Sequence, residues 1–451
     1  MRVKKGKRKV LLYKLRNQKK IFRNKVCTNK KKRNREGRRA ITGDNSFIGN
    51  VYNQVIGHLD QKKFGLPKWE CRPHKSEEIQ MPEVFSISEN AELVISILRK
   101  LYTVARDSKT EKICFDHTRC INLGLSASTV MDIILLAVDK YRERLKKPLL
   151  LKGTLPRDEQ AKDILLASGL PEHLKATILC EYDKKHVMKF DTIQGVHDQK
   201  ANKADETATK LTNYFIKCLR TQHMELNNEG KRLLSRILGE VISNCEIHGG
   251  NLATWYTQGH YQIQKDNSFG EMQLLFLNIG DTIYEGLKND SSAETKEKLS
   301  YMKAVHHKHL NKKWDEEMLY TVFALQEGIS RLRDKEIEGF EGRGSGTVSM
   351  IEMFYDIGES DTGLKPQMTI LSGKTLIKFL DNYKMKSVGF VNDKVFGSGK
   401  KKIIAFNDKN DIYFPADPQN VIKISQYFPG TIISLKFYLD SRYISSQKRK
   451  G

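Results

Sequence analysis

The chain has 451 residues, 39% of them hydrophobic, and a net charge of +24. That length predicts at least two domains, because single cores stop growing near roughly 250 to 300 residues. No run reaches the ~18 apolar residues of a membrane span, and "VLLY" near the start falls short of the ~7 to 15 that a secretory signal needs.

Residues 1–44 are a basic arm. Positions 1–40 hold 19 Lys or Arg against one acid, Glu36, so +18 of the +24 lies there and the remaining 411 residues carry an ordinary balance. Such an arm is either a solvated, disordered leader or a binder of nucleic-acid phosphates or anionic head groups. Residues 45–82 mix a short amphipathic piece with Gly and Pro and read as a connector. Seven cysteines without CxxC pairs or regular spacing point to reduced thiols and a cytoplasmic protein.

Residues 83–185 alternate in period. "AELVISILRKLYTVAR" has helical spacing, "KICFDHT" strand composition, "SASTVMDIILLAVDKYRERL" helical spacing with serines at its start, "PLLLKG" strand composition, and "RDEQAKDILLASG" is a helix closed by Gly169. This predicts a small α/β domain with helices on at least one face of its strands. Ser126 and Ser128 read as N-caps of the third segment.

Residues 186–227 form a helical linker, and 228–440 a second α/β body followed by a basic tail, 441–451. Its elements are a helix through "NEGKRLLSRILGEVISNCEIHGG", a strand "MQLLFLNIG", a polar insert at 288–341, a glycine cluster "EGRGSGT", a helix "VSMIEMFYDIG", and strands "QMTILSG" and "GTIISLKFYL". A long insert ending in glycines predicts a lid over a ligand. "HHKH" at His306–His309, inside that insert, reads as a solvated face rather than a metal site.

The chemistry concentrates on the helix ending at His248. Leu234, Leu238, Val241 and Cys245 make an apolar stripe, and Glu240, Asn244 and His248 a polar line turned by roughly 90° from it. Polar groups bordering a core need a partner or a ligand. A carboxylate there can orient a water, and a carboxamide oxygen suits a hard cation such as Mg²⁺. Gly280 ends an apolar strand where the backbone must turn beside a flat ligand. Glycines directly before a helix, at Gly342, Gly344 and Gly346, favour phosphate.

With these three sites in order, the sequence resembles the GHKL ATPases, the superfamily of gyrase-type topoisomerases, Hsp90, histidine kinases and mismatch-repair ATPases. "ExxxNxxxH" at Glu240, Asn244 and His248 is similar to the family's first box, which implies Glu240 as general base and Asn244 as Mg²⁺ ligand. "NIGDTI" resembles the adenine-reading box through Gly280 and Ile283, but has Asn278 where the family has Asp and Thr282 where it has a second Gly. Asp281 is a substitute acceptor for the base. "GRGSGT" (Gly342, Arg343, Gly344, Ser345, Gly346, Thr347) resembles the lid box, and "FPGTIISLKF" the last strand, which places Thr431 near the adenine. The resemblance implies a two-layer α/β sandwich binding ATP and Mg²⁺. Residues 83–185 resemble a STAS domain, in which Ser126 or Ser128 lies near the phosphorylatable serine.

These features predict an ATP-binding switch that hydrolyses slowly and acts on a protein partner or on its own STAS-like domain. A serine or histidine protein kinase, with His223 as the one plausible histidine acceptor, is an alternative. A nucleic-acid-binding effector acting through the arm is another.

Overall fold

Apolar residues on one side make Val51–Gln61 (α1) a helix that buries Val55, Ile56 and Leu59. Then follow Ser76–Gln80 (β1), Val84–Phe85 (β2), Ile87–Arg106 (α2), Lys112–Asp116 (β3), Asn122–Leu123 (β4), Leu125–Arg144 (α3), Leu150–Gly153 (β5) and Glu159–Ala167 (α4). β1, β3 and β5 form a parallel sheet in the order β1-β3-β5, so residues 76–80 belong to a sheet inside the stretch read as a connector. Every residue of α3 from Leu125 to Leu135 is buried, as a helix covered on all sides requires. Its N-cap is Gly124, without a side-chain cap, and Ser126 and Ser128 are buried within the helix. Neither serine is the cap that the sequence suggests.

The computed structural model describes residues 51–169, 182–196, 203–250, 253–264, 269–329, 346–357 and 364–440, all within one compact unit, Val51–Gly451. The later elements are Val187–Val196 (β6), Lys203–Thr221 (α5), Asn228–His248 (α6), Thr254–Ile263 (β7), Gly270–Ile279 (β8), Ile283–Asp290 (α7), Ala293–Val305 (α8), Glu316–Phe323 (α9), Gly346–Ile357 (α10), Gln367–Phe379 (β9), Lys386–Asp393 (β10), Gly397–Ile403 (β11) and Val421–Leu439 (β12). The protein is of mixed α/β class.

Five strands make an antiparallel sheet in the order β6-β7-β8-β12-β9. Trp255, Tyr261, Leu274, Phe276 and Phe437 share one apolar cluster with α5, α6 and α10. Tyr256, Leu275, Leu277, Ile279 and Ile432, the alternate residues, share a second cluster with α1, α2, α3 and the parallel sheet. Because both faces are covered, β8 is buried at all ten positions, which is why it reads as an unbroken apolar run.

The insert at 288–341 carries its own packed helices. Leu299, Met302, Trp314, Met318, Leu319 and Phe323 of this segment join the first cluster, and residues 330–345 lie outside the described part. His306 is fully buried: its Nε2 is 2.9 Å from the Ile412 carbonyl, and its Nδ1 accepts from Trp314 Nε1 at 3.1 Å. The solvated face expected for "HHKH" does not hold at His306, and no metal-ligand cluster occurs among the described residues. No described helix is long and apolar enough to cross a membrane.

Candidate nucleotide site

The helix α6 starts where the Asn227 side chain accepts from Gly230 N at 2.7 Å, a cap that removes one orphan amide. Leu234, Leu238, Val241 and Cys245 are buried as the stripe predicts. The polar line borders them: Glu240 and Asn244 are half-buried, and neither has a hydrogen bond or ion pair among the described residues. Burial pushes the Glu240 carboxyl up, and Arg236 one turn earlier opposes this. A raised carboxylate is a better proton acceptor near neutral pH. The helix closes at Gly249 and at Gly250, whose φ of +89° lets the chain turn back.

The start of α10 lies against this line. A Cβ on Gly346 would stand 2.5 Å from Glu240 Oε2 and 2.8 Å from Glu240 Cβ. The last glycine of the cluster and the candidate base therefore touch, although 106 residues separate them in the sequence.

A row of cross-strand partners stands at the end of the sheet where α6 closes. Trp255 pairs with Asn278, Asn278 with Thr431, and Thr431 with Ser372. Asn278 is buried at 3% exposure, and its Nδ2 donates to the Asp281 carbonyl at 3.3 Å. The Asn278 Oδ1 is an acceptor and Nδ2 keeps a second proton. Thr431 Oγ1 is 2.9 Å from Ser372 Oγ, which also accepts from Ile283 N at 2.9 Å. Ser372 was not expected; only the Ser-Gly closing "QMTILSG" hinted at it.

Gly280 is glycine for a different reason than expected. A side chain there would overlap the Gly249 carbonyl, so the constraint is the close approach of two backbones, with Asp281 N donating to that same carbonyl at 2.8 Å. The Asp281 carboxylate runs to Lys62 Nζ at 3.2 Å and Oδ2 lies over Gly250, so it is committed to the lysine and does not stand as the substitute acceptor expected from the sequence. Lys62, from the N-terminal part of the chain, also contacts Glu285 at 2.8 Å.

No family model matches this sequence, and no curated protein or solved structure matches it either. The expected residues stand in two groups: Gly346 lies against Glu240, with Asn244 one turn further along α6, and Asn278, Gly280, Asp281, Ile283 and Thr431 gather where α6 closes beside the ends of β8 and β12. Thr347 is half-buried in the first turn of α10. His248 ends α6, and its side chain is outside the described part, as are Gly342, Arg343, Gly344 and Ser345.

Proposed function

We propose that this end of the sheet is a nucleotide pocket of GHKL type, that it binds Mg-ATP, and that slow hydrolysis resets a conformational switch. On this reading the nucleotide module is the sheet with its helices, which takes in β6 and α5 from the stretch expected to be a helical linker as well as residues 228–440, and the preceding α/β part is its STAS-like neighbour. The observation that carries the reading is the contact between Gly346 and Glu240. It sets the start of a 12-residue helix beside a half-buried carboxylate that has no hydrogen bond or ion pair among the described residues, with the Asn244 carboxamide one turn further along α6. Free amides at a helix start favour phosphate oxygens.

Asn244 supplies the hard oxygen suited to Mg²⁺, and its half-buried amide, without a hydrogen bond among the described residues, fits that role. The cation, when bound, neutralises phosphate charge. Glu240 orients a water and takes its proton, helped by the burial that raises its carboxyl. Asn278 Oδ1 accepts from the base, and Thr431, held by Ser372, lines the same side.

The test is a pair of variants assayed with labelled ATP. Asn244→Ala abolishes Mg²⁺-dependent binding, whereas Glu240→Gln keeps binding and loses phosphate release. Undiminished affinity in Asn244→Ala contradicts the metal-ligand role. Label retained on the protein instead of free phosphate would replace the switch by a kinase.

A further inference from the structure

The turn that closes α1 is wedged between two loops of the candidate pocket. Lys63 has a φ of +53°; Lys63 N donates to Asp60 O at 3.1 Å and Phe64 N to Leu59 O at 2.9 Å. This is the Schellman pattern, with a non-glycine residue in the left-handed position. Such a conformation costs of order 1 kcal/mol and persists only where the surroundings impose it.

Here the surroundings are the pocket loops. Phe64 is 1% exposed and meets Phe428 edge-on, with centroids 6.2 Å apart. Arg99 Nε donates to the Phe64 carbonyl at 2.8 Å and its Nη1 to Gln426 at 2.6 Å. Phe428 leads through Pro429 and Gly430 into Thr431. On the other side Lys62 Nζ reaches Asp281 and Glu285. Glu285 closes a capping box with Thr282 at the start of α7 and accepts from Tyr427 at 3.1 Å. Burial alone lowers the Lys62 pKa, but the two carboxylates outweigh it and hold the ammonium above its ordinary value.

We propose that Lys62 is a positioning residue of the nucleotide site, holding the 280–285 turn against the 426–431 loop so that Asn278 and Thr431 face one base. This rests on the nucleotide reading above and adds that the pocket is completed from outside residues 228–440. Without the ammonium, two half-buried carboxylates are left uncompensated, and Asp281 is free to leave Gly250. Nucleotide binding and docking of the α1 turn are thereby one linked equilibrium.

The experiment uses the full chain and calorimetric ATP affinity, with Lys62→Met, Lys62→Arg, Asp281→Asn and the Lys62→Met, Asp281→Asn double variant. Lys62→Met weakens ATP about fivefold or more, Lys62→Arg restores most of the loss, and the double variant loses much less than the summed single effects. Rescue by arginine and the non-additive affinity separate positioning from a general loss of stability. Wild-type affinity in Lys62→Met, or equal losses in the methionine and arginine variants, overturns the proposal. Should Lys62→Met fail to fold, Asp281→Asn carries the test, since it keeps the Lys62–Glu285 pair; unchanged affinity there overturns it equally. Failure of the wild-type chain to bind any nucleotide sinks the nucleotide reading itself, a result distinct from both.

Discussion

Alanine at position 346 tests the contact on which the functional reading depends. The added Cβ would stand 2.5 Å from Glu240 Oε2 and 2.8 Å from Glu240 Cβ, where ordinary contact begins at 3.4 Å. The carboxylate can rotate away, but the Glu240 Cβ is fixed to α6, so α6 and α10 must part by roughly half an ångström. Overpacking of this kind costs about 1 to 3 kcal/mol, with part returned because alanine suits a helix better than glycine. The larger effect is on chemistry, since displacing a reacting group by ~1 Å costs on the order of 100-fold in rate. The expected result for Gly346→Ala is therefore a urea midpoint lowered by about 1 to 2 kcal/mol equivalent, and phosphate release lowered about 10- to 100-fold. Stability and turnover both equal to wild type would refute the contact and the role of Glu240 together.

Stability falls in mild acid. His117 and His260 are buried at 3% and 2% exposure, and burial lowers both to about 4 from the ordinary 6.5. The unfolded chain takes up protons below pH 6.5 that the native state refuses, so stability is full above that pH and drains as pH falls toward 4. The slope is at most about 1.4 kcal/mol per pH unit for each histidine, measurable as urea midpoints between pH 7.5 and 4.5. A flat profile would contradict the burial of neutral imidazoles, and the His117→Gln, His260→Gln double variant should flatten it. Gly280→Ala should cost about 2 kcal/mol or more, because its neighbour is the Gly249 backbone rather than a flexible side chain. A melting temperature unchanged in that variant would show that the backbones are not in contact.

What the sequence revealed and what it hid follow from how local each signal is. The stripe of α6, its two closing glycines, and the apolar runs of β8 and β12 are carried by neighbours within a few residues, and they stand where expected. Residues 76–80, "SEEIQ", show no alternation because only Ile79 is buried; they are a strand through pairing with β3. β7 hides differently, since Thr257, Gln258 and His260 are polar yet buried between two layers. Helix α8 was masked by its charge, as only Thr295, Leu299 and Met302 face inward. Lys62 could not be seen at all: its partner Asp281 is 219 residues away, and nothing near either residue distinguishes it from a surface charge.

The most direct measurement is calorimetry of the full chain with ATP, ADP and GTP, each with and without Mg²⁺. Asn278 Nδ2 donates to the Asp281 carbonyl and lies against Gly249, so in the proposed pose Oδ1 is the atom that meets the base. It therefore matches the amino group of adenine and opposes the carbonyl oxygen of guanine. The predicted result is Mg²⁺-dependent ATP binding, with GTP weaker by about tenfold or more. Absence of ATP binding at millimolar concentration, or equal affinity for GTP, would contradict the account.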